Sequence, residues 1–200
     1  MGRSRPGARR TPATPSSLDP APPVPSLASA TLPRVWQGVG YRPLPDAGTA
    51  RPLFDFAAVG WPAGGPLELA WGAFARAAAS AREGLVGAVV GERAGSAMML
   101  HGPVIATAGR AEAPVTDALE VATQLVAAAL DHATALGVET VFARPQGLDR
   151  VWVRFGFIPI PESALPERLA GGPAVGLYAW RGGSALWSFR ERREDAPVRR

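Results

Sequence analysis

Few side chains in this sequence can move a proton at a chosen position. Histidine is the natural proton carrier near neutral pH, and there are two, His101 and His132, 31 residues apart. His101 falls on an apolar stretch with strand character. It is either a proton acceptor lining a site or a strand histidine that packs and hydrogen-bonds. His132 falls on the polar side of a helical pattern and reads as surface. Tyr178 sits on a late strand pattern, where a phenol serves as an acid or packs as a strand aromatic. Glu92 ends a strand beside a turn and reads as solvent-exposed. Cysteine is absent, which excludes disulfides, thiolate nucleophiles and Cys-based metal sites. Two distant histidines give no zinc-ligand spacing, so no metal is expected. There is no G-x-S-x-G elbow, and there is no lysine for a phosphate-binding P-loop.

The elements that position these groups follow from periodicity. Residues 1–33 are rich in Pro, Ala and Ser without a period and read as a disordered tail. Order is expected from near Val35, with "VGYRPL" as a short strand. "AGTARPLFDFAAVGW" is ambiguous. Segment 65–81 sets Leu67, Leu69, Trp71, Phe74 and Ala78 at roughly helical spacing among good helix formers, which predicts a helix. Residues 84–91 and 96–106 read as two strands joined by a turn at "GERAG", an antiparallel hairpin. A long helix follows, with Leu119, Ala122, Leu125, Val126, Ala129, Leu130, Ala133 and Leu136 repeating along it. Thr116 is its expected N-cap, Asp117 and Glu120 suit its positive end, and Gly137 stops it. Residues 138–144 read as a strand, Leu148–Phe155 as a short helix, and 156–160 and 173–181 as the last strands. A hairpin followed by helix–strand units predicts an α/β (α+β mixed) fold, a mostly antiparallel central sheet flanked by helices.

The stretch "LDRVWVRFGFIPIP" has Arg150 and Arg154 four apart on one helical face, then Gly156 and a strand. Leu85-Val86-Gly87 opens an earlier strand. With the hairpin, the glycine-stopped helix and "WVRFGF" (Trp152 to Phe157) in that order, the segment from Gly84 to Ile160 resembles the GNAT N-acetyltransferase superfamily. The resemblance implies a GNAT-like acyl-CoA N-acyltransferase fold over residues 34–189. It also implies transfer of an acyl group, expected to be acetyl, from acetyl-CoA to a small amine or a protein N-terminus. In that family the strands flanking the long helix splay apart, so backbone at Val104 and Ile105 would meet the coenzyme. Its pyrophosphate would rest on Arg110, Val115, Thr116, Asp117 and Ala118 at the start of the helix. The resemblance makes His101 the candidate base and Tyr178 the candidate acid. It sets Trp152 beside the coenzyme, where the family often has tyrosine. The small positions of the phosphate loop are Ala113 and Val115 here, with Pro114 between them. Segment 107–115 is therefore either that loop or a plain strand-to-helix connection. Arg144 is expected at the cleft mouth, Gln146 and Asp149 flank the short helix, and "GWPAGGP" (60–66) reads as an acceptor-side loop. The alternative function is a degenerate, non-catalytic member of the fold acting as a binding or scaffold protein.

Arginine supplies all 21 basic residues against 17 acidic ones. The excess lies at the ends, with four Arg in 1–33 and five in 190–200. Such runs read as solvated tails, 190–200 being the second, so nucleic acid is not an expected partner. No apolar run is long enough to cross a membrane, and no apolar region follows the N-terminal arginines; a cytoplasmic protein is expected. Leu186, Trp187 and Phe189 are available to cover a sheet edge or join a homodimer.

Overall fold

The computed structural model describes residues 24–76, 83–106, 117–144, 148–169 and 177–181. In chain order the elements are α1 (Leu27–Ala30), β1 (Arg34–Trp36), β2 (Val39–Pro43), a 3-10 turn (Ala47–Ala50), α2 (Arg51–Phe56), β3 (Leu67–Arg76), β4 (Glu83–Ala94), β5 (Ala97–Ile105), α3 (Ala118–Ala135), β6 (Thr140–Ala143), α4 (Asp149–Arg154), β7 (Ile158–Ile160), two further 3-10 turns (Glu162–Ala164 and Glu167–Leu169) and β8 (Leu177–Arg181). Eight strands form one sheet in the order β1-β2-β3-β4-β5-β6-β8-β7. Each pairing is antiparallel except β5 with β6, which α3 connects as a parallel crossover. The expected mixed α/β sheet flanked by helices is the fold observed.

The helix expected over 65–81 is instead strand β3 as far as Arg76; residues 77–81 lie outside the described set. The reason is burial on both faces. Leu69, Trp71 and Ala73 pack into the core beneath α3, while Ala70 packs into a second core under α2. Apolar residues at both parities erase the alternation that marks a half-buried strand. A register shift between Ala73 and Phe74 blurs it further. Pairing with β2 and β4 then overrides the helix propensity of an Ala-rich run.

The expected boundary at residue 33 also moves. α1 precedes it, and Ala30 is buried. Arg34 then ties β1 to α3 through Asp131 at 2.7 Å. The turn expected at "GERAG" narrows to its end: Glu92 to Ala94 remain in β4, and Gly95 takes φ +63°.

Helix α3 forms where its apolar repeat predicts it, but its cap is Asp117 rather than Thr116. The Asp117 carboxylate accepts the Leu119 N–H at 2.9 Å, and Gly137 at φ +75° ends the helix. His132, expected at the surface, is half-buried. Its Nδ1 accepts the Trp71 indole N–H at 3.2 Å, and burial lowers its pKa.

The sheet has one face under α3 and α4, carrying the largest core. The opposite face carries two smaller ones. One gathers Leu53 and Phe54 of α2 onto Ala88, Val90 and Val104. The other gathers Leu165 and Leu169 onto Met99 and Phe142.

Candidate functional site

Between those two smaller cores, on the face away from α3, three charged or titratable side chains meet. β5 pairs with β6 from Ala97↔Thr140 to Leu100↔Ala143 and no further, whereas it stays with β4 to Ile105. His101 and Arg144 are the residues just past the last parallel pair, where the two strands part. Glu92 lies opposite Met99 on β4, and Val90 opposite His101, so Glu92 and His101 share one face.

A bulge aims His101. Ala88 faces Val104 and Val90 faces His101, so Gly102 and Pro103 together oppose Val89. This puts His101 and Val104, three apart, on the same face, which plain alternation forbids. Gly102 is needed there: its φ is +95°, and a Cβ would sit 3.0 Å from the Ala88 carbonyl. The Gly102–Pro103 peptide is cis.

Glu92, expected in solvent, is only 7% exposed. Its Oε2 lies 3.6 Å from His101 Nε2, an ion-pair distance too long for a hydrogen bond. The Gly64–Gly65 backbone covers the carboxylate, and a Cβ on Gly64 would stand 2.6 Å from Oε1. Two consecutive glycines let the main chain close over a charged group. Gly64→Ala is therefore expected to push the carboxylate aside and break its approach to His101 with little loss of thermal stability; a crystal structure of the variant beside a melting curve checks this.

His101 Nε2 is buried without a hydrogen-bond partner among the described residues. Burial, with the Arg144 charge adding to it, holds the imidazole down to about 4 from 6.5. Glu92 at 3.6 Å opposes this without reversing it, so His101 is neutral at pH 7. The unfolded chain binds the extra proton first. Stability is therefore full above about 6.5, falls as pH drops, and levels off near 4. The loss attributable to His101 is of order 3 kcal/mol. Urea unfolding of the wild type and of His101→Gln across this range should show a markedly shallower slope for the variant. His132 contributes with the same sign and remains in both.

The other expected residues separate. Val104 is buried in the α2 core and Ile105 packs against the α3 core. Ala106 N–H bonds back to Val86. By alternation, the Ile105 N–H and C=O point away from β4, towards the side that β6 has left. Arg110, Val115, Thr116 and Gln146 lie outside the described residues. Asp117 is occupied as the cap of α3, with Ala118 the first residue of the helix. Asp149 is the first residue of α4. Trp152 is fully buried against Phe157, ring centroids 4.8 Å apart. Its indole anchors α4 to the core and presents no exposed surface to a coenzyme. Tyr178 pairs with Ala143, one residue before Arg144, so its backbone borders the site; its side chain is outside the described set.

An acetyltransferase from Streptococcus agalactiae is similar with a TM-score of 0.50 at 13% identity, over 73% of this chain and 99% of its own. The fold is that of the GNAT acetyltransferases. Other structures with this GNAT fold include a probable acetyltransferase from Chromobacterium violaceum, with TM-score 0.45, 17% identity, 92% of this chain and all of its own. N-acetylglutamate synthase from Neisseria gonorrhoeae, complexed with coenzyme A and L-arginine, gives 0.49 at 14% identity. The match covers 72% of this chain and 33% of the synthase, so the chain spans about a third of that protein. No family model matches the sequence, and no curated protein matches it.

No helix among the described residues is long and apolar enough to cross a membrane.

Proposed function

We propose that this protein is an acyl-CoA-dependent N-acyltransferase, with acetyl-CoA as donor and an amine as acceptor. The observation that carries the reading is the buried Glu92–His101 pair set where β5 and β6 part. Coenzyme A fits that parting: the Ile105 backbone is turned towards it and supplies the donor and acceptor that a pantetheine amide needs. When bound, the thioester supplies the activated acyl group.

The rest is work for the chain. An acceptor enters as an ammonium and must lose a proton before it can attack. Glu92 attracts the ammonium and takes its proton directly or through water. His101, neutral, stands beside it and orients the amine. Desolvation by Gly64–Gly65 strengthens both interactions. Tyr178 is the proposed acid for the departing thiolate, on the strength of its register position next to Ala143.

One observation favours a non-catalytic binding protein instead. Asp117 already occupies the Leu119 N–H, and Glu120 adds a second carboxylate in the first turn of α3, where a pyrophosphate would rest. A thermal scan with acetyl-CoA separates the readings. Ligand at a hundred times its dissociation constant adds about 2.7 kcal/mol, expected as a rise of roughly 5–10 °C for a chain of this size. An unchanged midpoint at millimolar acetyl-CoA rejects the transferase in favour of the binding protein.

A further inference from the structure

The loop that covers Glu92 also brings an aromatic wall. Phe54 on α2 is fully buried, so its ring is fixed. Trp61 meets it edge-on, centroids 5.2 Å apart at 82°, and remains only half-buried. The tip of Phe54 lies 3.4 Å from where a Cβ on Gly102 would stand, and Gly102 follows His101. Three residues after Trp61, the Gly64 backbone lies on the Glu92 carboxylate. One short loop thus sets an apolar, rigidly backed indole at one end of the site and closes over its anion at the other.

The charges restrict what fits. Glu92 is the one carboxylate facing His101 among the described residues. Arg144 is buried beside them, close enough for its charge to act on His101. A single ammonium is complemented by Glu92, and the half-buried Trp61 ring offers an apolar surface to the rest of the acceptor.

Resting on the transferase reading, we propose that the acceptor is a monoamine with an apolar, aromatic-sized body, its ammonium at Glu92 and its body against Trp61. A diamine or an acidic amino acid would have to set its second charge against the Trp61 ring, which offers it no partner.

The test is calorimetric titration of the full chain, with and without saturating coenzyme A, using 2-phenylethylamine, putrescine and glutamate as probes. Turnover of each with acetyl-CoA is measured in parallel. 2-Phenylethylamine is expected to bind about tenfold or more tightly than either other probe. Trp61→Ala should weaken it by about tenfold or more while leaving the acetyl-CoA melting shift in place. Trp61→Phe, which keeps an apolar ring and guards against a folding defect, should retain most of the binding. Preferred binding or acetylation of putrescine or glutamate overturns the proposal, as does a Trp61→Ala variant that binds 2-phenylethylamine as the wild type does. 2-Phenylethylamine that binds in the expected pattern but is never acetylated leaves the pocket standing and sinks the transferase.

Discussion

Glu92→Gln is expected to lower kcat/KM for the amine by about a hundredfold to ten-thousandfold, the range for removal of a general base. Acetyl-CoA affinity should stay near the wild-type value. Glutamine keeps the volume that Gly64 and Gly65 close over, so the loop has no cause to move. What it removes is the charge, and with it both the attraction for an ammonium and the proton-accepting oxygen. The comparison with His101→Gln decides which group is the base. The Glu92 carboxylate draws the ammonium in by its charge as well as accepting from it, whereas the neutral His101 imidazole supplies no such attraction. The Glu92 loss should therefore exceed the His101 loss. The opposite order, with Glu92→Gln near wild type, would return the role to His101 and leave Glu92 as a buried counter-charge. The stability of Glu92→Gln should differ little from wild type, because its ion-pair contact among the described residues is long, at 3.6 Å.

What could be read without coordinates depended on whether a signal was local. Helix α3 announces itself by an apolar repeat over five turns and by Gly137, which its own backbone requires. The β4–β5 hairpin is likewise a local pattern, as are the Arg-x-Gly-Phe stretch and the short helix before it. β3 misleads because its signature is set by what lies on either side of it: α3 buries one face, α2 the other, and the resulting unbroken apolar run resembles a helix. Glu92 and His132 mislead for the same reason. Each is polar in a context that reads as solvent, and each is met by residues distant in the chain, Gly64–Gly65 covering Glu92 and Trp71 donating to the half-buried His132. The Gly-Gly doublet was visible, as was the Gly-Pro inside β5 that marks the bulge. Neither indicates which side chain it serves until the sheet is assembled. Trp152 matches the order of the resembled motif, but its depth in the core is a tertiary fact.

Trp152→Ala should cost about 3–5 kcal/mol, the range for removing a large aromatic from a packed interior. That corresponds to a fall in Tm of about 6–20 °C. Helix α4 has six residues and no side-chain N-cap, so on its own it is far below the length at which a helix holds together. Burial of Val151 and Trp152, and the edge-on contact of Trp152 with Phe157 at 70°, are what secure it. Trp152→Phe should be much milder. It keeps a ring against Phe157 and removes an indole N–H that is buried without a partner among the described residues, a penalty of about 1–3 kcal/mol that offsets part of the lost volume. The effect should extend beyond α4, because Arg154 reaches Glu120 in the first turn of α3 at 3.7 Å. Loosening α4 then frees the first turn of α3. Acetyl-CoA binding by Trp152→Ala should weaken only as the fold itself weakens. If the variant melts like the wild type yet loses the coenzyme, the indole belongs to the cleft and its enclosure in the core is not its role.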